Sequence, residues 1–282
     1  AASIKIGRPV SARKAAQASG ELAWLAAGDA YQVNLTFALS QRLAAGTALG
    51  LYGALRRRGA VGHGALVDFG SALPGGPVVV SRSPELFFRV RGGVIESRPM
   101  KGTAPRDPDP ARDAALAAAL SASEKDRAEN LMIVDLLRND FARLCRVGSV
   151  RVPALYAMET YATVHQMTST VAGELLGNPG LSGLMPALFP CGSVTGAPKI
   201  RAMEIIRALE PAPRGAYCGA VGWMAPDGDA DFSVAIRTQS LYPGGRIVVN
   251  VGGGVVIDST ADGEWEEALW KARFAKGRAT RT

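Results

Sequence analysis

The final stretch DGEWEEALWKA places Glu264, Glu267 and Lys271 at offsets of three and four, and hence on one face of a helix. Two readings fit that triplet. One is a solvated face with a Glu–Lys pair worth roughly 0.2–0.5 kcal/mol. The other is two acids and a base converging on a site, and the residues just upstream speak for it. Gly252, Gly253 and Gly254 interrupt an otherwise β-branched strand, where each glycine costs roughly 0.5–1 kcal/mol. Glycine in a strand admits a ligand to the backbone, so three in succession suggest a bound anion. With only His63 and His165 in the chain, a multi-histidine metal centre is excluded. A bound metal would be a hard cation held by oxygens, and magnesium is the first candidate.

Three further segments carry reactive side chains. Glu129 lies in EKDRAENLMIVDLLRND, a helix apolar enough to be largely buried. A buried acid needs either an ion pair, with Lys125 or the neighbours of Arg127, or a metal. GSVTGAPKIRAMEII is a glycine-rich loop entering a helix at Pro198, which leaves amides for an anion but lacks P-loop spacing; by itself it reads equally as a tight turn. Lys101 in PMKGT reads as a lysine in a glycine-flanked loop, which on local grounds is an exposed turn lysine. His165 in TVHQMTSTV has a strand setting and fits a hydrogen-bonded core histidine as well as a reactive one.

These side chains need a scaffold, and 282 residues suffice for a self-supporting core. Charged residues at 20% and hydrophobic ones at 48% exclude a disordered or fibrous chain. No apolar run reaches the roughly 18 residues of a membrane span, and AASIKIGRPV lacks the apolar core of a signal peptide. The expectation is a soluble, cytoplasmic protein with no membrane partner. Cys145, Cys191 and Cys218 are scattered without a CxxC and suggest neither a disulfide framework nor a zinc site. The formal charge of +7 invites a nucleic-acid reading, yet the densest basic run, Arg56 to Arg58, has no aromatic interleaving, and no nucleic-acid partner is expected.

No repeat or low-complexity linker divides the chain, so residues 1–282 read as one domain. Alternation after Gly28, with Tyr31, Val33, Leu35, Phe37 and Leu39 against Gln32, Asn34, Thr36, Ala38 and Ser40, predicts a strand with one apolar and one polar face. Further strands are expected at 65–69, 78–81, 86–90, 93–97, 162–174, 219–224, 231–241 and 246–257. Helices are expected at 11–27, 110–121, 124–146 (capped by Ser123 with Asp126), 198–209 and 263–277. The short Pro-Gly-Gly connection at 243–245 demands antiparallel pairing, which favours an α+β fold over a doubly wound one.

Taken in order, AYQVNLT, SPELFF, PMKGT, SEKDRAENLMIVDLLRND, HQMTSTVAGEL, FPCGSVTGAPKIRAMEIIRALEP, YCGAVGW, AIRT, GGGVVIDS and EWEEALWKA resemble the chorismate-utilising enzymes over nearly the whole chain. The resemblance implies an α+β fold of two large, mostly antiparallel sheets packed as a sandwich with helices outside, and chorismate held with Mg2+. By motif it makes Glu129, Glu264 and Glu267 metal ligands. Tyr217 and Arg237 would hold the enolpyruvyl carboxylate, Gly252, Gly253, Gly254 and Lys271 would complete an anion cradle, and His165 and Ser193 would lie beside the ring hydroxyl.

The resemblance also distinguishes branches. Isochorismate and salicylate synthases carry a lysine where this chain has Gln32 and a glutamate where it has Pro99, so water is not the expected nucleophile. Anthranilate synthases carry alanine at the position of Lys101, whereas the aminodeoxychorismate synthase branch has a lysine. This implies that Lys101 adds to ring carbon 2, and that ammonia from a glutamine amidotransferase subunit (component II) then displaces it to give 4-amino-4-deoxychorismate, a precursor of 4-aminobenzoate and folate. The alternatives are anthranilate synthase component I and a noncatalytic chorismate-binding protein. The family's usual N-terminal stretch before the YQVNL strand is expected to be missing here, and Cys191 stands where glycine or alanine is usual.

Overall fold

The alternating stretch after Gly28 becomes strand β2 (Gln32–Leu43) in the computed structural model, which describes residues 4–6 and 23–275. The described residues fall into two compact units. One holds the residues up to 84, 194–221 and 234 onward; the other holds 85–193 and 222–233.

The first unit is built on a seven-stranded sheet. Its order is β1 (Ile4–Ile6), β2, β14 (Arg246–Val255), β13 (Thr238–Leu241), β4 (Val78–Ser83) and β3 (His63–Val67), with β10 (Gly196–Ala197) also on β2. All its pairings are antiparallel. Helices α1 (Ala48–Arg56), α5 (Lys199–Leu209) and α6 (Ala261–Lys271) belong to it. Apolar inward positions supply two clusters. Leu39, Leu51, Leu55, Ile247 and Val249 pack with Ala268 of α6, and Val33 and Val255 pack with Ala202 and Ile205 of α5. The small residues on α6 bring its backbone, and so its acids, close to β14.

The second unit has its own seven-stranded sheet, ordered β11 (Ala220–Met224), β12 (Ala230–Val234), β5 (Leu86–Arg91), β6 (Val94–Arg98), β9 (Val164–Glu174) and β7 (Met100–Pro105), with β8 (Arg151–Thr160) also on β9. Pairings from β12 through β8 are antiparallel. Helices α2 (Pro110–Ala122), α3 (Glu124–Ala142) and α4 (Gly180–Leu188) complete it. Asp109 caps α2 by accepting from the Ala111 and Arg112 amides ahead of Pro110, and Ser123 caps α3 by accepting from the Asp126 amide. The fold is thus α+β with two large antiparallel sheets and helices, as the resemblance implies.

Several expectations are corrected. Residues 231–241 are two strands, because the chain turns between Val234 and Thr238 with Arg237 at φ 50°. Residues 99–103 lie not in a loop but largely in β7. Strand β8 and helices α1 and α4 were not foreseen; Pro153 and Pro186 interrupt the patterns of β8 and α4. Helix α3 stops at Ala142 rather than 146, and Cys145 then bridges to Leu175. Of the helix expected at 11–27, residues 23–26 are helical and 11–22 lie outside the described residues. The last helix is α-helical to Lys271 and a 3-10 turn to 275, with 276–277 outside the described residues. Among the described residues no helix is long and apolar enough to cross a membrane.

Candidate active site

The polar side of β2 is where sequence and burial part company. Ala38 and Ser40 are exposed as expected, but Gln32, Asn34 and Thr36 are buried. Buried polar groups are costly unless bonded, and here Thr36 and the backbone of Asn34 belong to a network. Thr36 donates through its amide and its Oγ1 to Glu210 Oε1, each at 2.9 Å. Arg214 donates to both Glu210 oxygens, to the Val194 carbonyl and to the Asn34 carbonyl. Asn250 of β14 donates to the Arg214 carbonyl at 2.8 Å. This Glu210–Arg214 clamp was missed from the sequence; the i, i+4 spacing in EPAPR was the available signal.

Opposite this network run the three glycines, with Gly252 beside Thr36, Gly253 beside Leu35 and Gly254 beside Asn34. Each lacks a side chain for its own reason. A Cβ on Gly252 would lie 2.0 Å from the Leu35 carbonyl oxygen, and one on Gly254 would lie 2.8 Å from the Gln32 carboxamide carbon. At Gly253 a Cβ would enter the space where α6 delivers its charges, 3.0 Å from Glu264 Oε2, 3.5 Å from Lys271 Nζ and 3.8 Å from Glu267 Oε1. The triplet that spacing alone leaves ambiguous therefore does converge, against the glycine strand. Ser259 donates to Glu264 Oε1 at 2.7 Å, and Lys271 pairs with Glu267 at 2.6 Å and donates to the Gly252 carbonyl at 3.1 Å.

The same unit holds Tyr217 and Arg237. Burial pushes the Tyr217 hydroxyl well above its ordinary pKa, so it stays a proton donor. Burial also lowers the pKa of Arg237, with Tyr217 opposing the shift. No acidic side chain among the described residues stands within ion-pair distance of Arg237, which distinguishes it from Arg214. Neighbouring Cys218 also takes a positive φ, 63°, and burial pushes its thiol up to about 12.

In the second unit Lys101 is not the exposed turn lysine of the local reading. It sits in β7 with 12% side-chain exposure, its Nζ 3.5 Å from Glu129 Oε2 on α3. Glu129 is therefore paired, but with Lys101 rather than with Lys125 or a neighbour of Arg127. The β7–β9 register slips between Met100 and Thr103, so Lys101 and Gly102 form a bulge, and Gly102 takes φ 80°.

His165 is buried on β9, its Nε2 2.9 Å from Asp113 Oδ1 and its Nδ1 3.1 Å from Thr160 Oγ1. Asp113 is clasped by Arg106, whose Nε and Nη2 both bond its carboxylate. Those bonds, the Asp107 amide and His165 hold Asp113 well below the usual carboxylate range. Both His165 ring nitrogens thus have protein partners. Ser193 is buried, its Oγ 3.2 Å from Cys191 Sγ.

Among the described residues, no group of three or more acid, histidine or cysteine side chains forms a ready metal site. By kind, however, the carboxylates suit a hard cation. Glu264 and Glu267 meet over Gly253, in a space that a single Cβ would fill.

The sequence profile described as chorismate binding enzyme matches residues 20–277. The aminodeoxychorismate synthase of Streptomyces pristinaespiralis is 47% identical over 249 residues, covering 87% of this chain and 33% of the relative. The anthranilate synthase component 1 of Streptomyces coelicolor is 44% identical over 250 residues, covering 88% of this chain and 48% of the relative. The crystal structure of anthranilate synthase component I from Streptococcus pneumoniae superposes with a TM-score of 0.85 at 32% identity, over 99% of this chain and 60% of that one. The chain thus spans about a third to a half of these curated relatives.

Proposed function

Because the chain belongs to the chorismate binding enzymes, we propose that it aminates chorismate to 4-amino-4-deoxychorismate, as an aminodeoxychorismate synthase of the large-subunit type. The observation that carries this reading is the setting of Lys101: a largely buried amine on a bulged strand beside an acid, at the position where the anthranilate branch has alanine. A surface lysine needs no such housing.

Chorismate is a dianion, and a desolvated carboxylate needs cations and donors. Arg237, with no acidic partner among the described residues, and the protonated Tyr217 suit the enolpyruvyl carboxylate. Glu264 and Glu267, which meet over Gly253, would hold Mg2+, which when bound would supply positive charge to a carboxylate; Glu129 is a ligand by the resemblance alone. Lys271 and the glycine strand complete the anion-binding surface. The Glu210–Arg214 clamp holds β2, and with it Gln32, under Gly254.

Lys101, once it has given up a proton, attacks ring carbon 2. The new C–N bond forms as both ring double bonds shift and the C4–O bond breaks, and the departing hydroxide leaves as water after taking up a proton. Ammonia then adds at carbon 4, both double bonds return, and the Lys101 amine departs as the leaving group. Gln32 has no basicity with which to activate water, so isochorismate is not a product. His165, engaged by Asp113 and Thr160, braces β9 against α2. Ammonia comes from a glutamine amidotransferase partner, with ammonium salts as its substitute in vitro.

The test is incubation with chorismate, Mg2+ and ammonium, followed by mass identification of the product. The expected product is 4-amino-4-deoxychorismate; anthranilate with pyruvate would assign the other branch. Removal of the metal with excess chelator is expected to stop turnover.

A further inference from the structure

The bulge that carries Lys101 is fastened by a side chain with no part in the chemistry above. Gln166 lies opposite Thr103 in the β7–β9 ladder. Its Nε2 donates to the Gly102 carbonyl at 2.7 Å, and its Oε1 accepts from Thr103 Oγ1 at 2.9 Å. Successive strand residues face opposite ways, and the contacts on β9 follow that rule. His165 bonds Asp113 of α2, Met167 packs on Leu120 of α2, and Ser169 bonds Asn130 of α3. Gln166, between His165 and Met167, faces the other way and grips β7.

A bulge leaves a residue out of the ladder, so its backbone groups need other partners. The left-handed φ of Gly102 turns the adjoining peptides, and a Cβ at this position would lie 3.0 Å from Asp126 and Leu120 atoms. Helix packing therefore limits Gly102 on one side while Gln166 holds its carbonyl on the other. Lys101 is attached directly to this residue, so the direction of its side chain depends on the same peptide.

We propose that Gln166 is the positioning residue of Lys101, fixing the aim of the amine by clipping the Gly102 carbonyl. The catalytic consequence rests on the reading of Lys101 as nucleophile; the geometric one does not.

Three variants of the full chain separate the two hydrogen bonds. Gln166→Ala removes both. Gln166→Glu keeps an acceptor for Thr103 but sets a carboxylate oxygen, not an N–H, against the Gly102 carbonyl. Thr103→Val removes only the Thr103 bond. Trace acetylation by acetic anhydride, without chorismate or metal, reads the acetylation of Lys101 relative to exposed Lys125 in each protein by peptide mass spectrometry.

The ratio is expected to rise about threefold or more in both Gln166 variants and to stay within about 1.5-fold in Thr103→Val, while in the amination assay the Gln166 variants lose about tenfold in kcat with chorismate KM within about twofold. A wild-type ratio in Gln166→Ala overturns the proposal, and so does a wild-type ratio in Gln166→Glu alone, which would put the effect on Thr103. If the ratio rises and amination is unchanged, Gln166 does position Lys101, and it is the reading of Lys101 as nucleophile that fails.

Discussion

In the unit built on β2 and β14, Arg237 is half-buried with no acidic side chain of the described residues within ion-pair distance; in the unit built on β9, Lys101 and two arginines each face an acid. Lys101 faces Glu129, Arg106 grips Asp113, and Arg98 meets Glu159. A half-buried cation without an acid favours an anion that arrives to share its site, so under the proposed function the first unit serves as the receptor. A matched amine is held in place but kept from reacting until its acid is otherwise engaged. Under the proposed function, the difference teaches that binding and bond making are served by separate electrostatic designs in one chain.

That contrast breaks most visibly at Lys101. Lys101→Ala should lower kcat for amination by about 10³-fold or more while leaving the fold intact, as removal of a nucleophile does; circular dichroism and steady-state kinetics read the two effects. Arg237→Ala should act on affinity instead, raising the chorismate KM by about 10–100-fold through loss of a charge-assisted contact. A loss in kcat alone would erase the distinction between receptor and reactor.

The clamp under the glycine strand gives a stability effect. Glu210→Gln leaves Arg214 buried without its acid and should cost about 3 kcal/mol in denaturant unfolding, within the usual range for broken buried pairs. The glycines then sharpen the picture. Gly252→Ala meets a backbone oxygen at 2.0 Å and should destabilise the fold. Gly253→Ala meets only the ends of Glu264, Lys271 and Glu267 and should lose Mg2+-dependent activity with little change in the unfolding midpoint.

The smallest expected effect concerns the His165 brace. Because the folded-state pKa of Asp113 is depressed, chiefly by its bonds to Arg106, its contribution to stability is present above the unfolded carboxylate value of about 3.9 and is lost as pH falls toward the lower folded value. The stability difference between wild type and Asp113→Asn should therefore be constant near neutrality and shrink below about pH 4. A difference that grows as pH falls would contradict this sign.

Much of this was legible in residue order. The period of β2, the hairpin at Pro-Gly-Gly, the cap at Ser123, and the shared face of Glu264, Glu267 and Lys271 all follow from local rules. Contacts between segments distant in sequence were not legible. Nothing local distinguishes Lys101 from a turn lysine, because its burial depends on β9 and α3. The break before Thr238 is hidden by a run that reads as one strand, although it is what turns Arg237. Asn34 and Thr36 look like an exposed polar face because their partners, Arg214 and Glu210, lie far along the chain, Glu210 174 residues beyond Thr36. His165 and Gln166 are neighbours whose roles only the facing of β9 can separate.

The central claim is that Lys101 bonds covalently to the substrate ring. Protein incubated with chorismate and Mg2+ but without ammonia should yield, by intact-mass and peptide mass spectrometry, an adduct on the peptide containing Lys101 that is absent in Lys101→Ala and discharged on adding ammonium. No adduct in the wild type, together with unimpaired formation of 4-amino-4-deoxychorismate by Lys101→Ala, would contradict it.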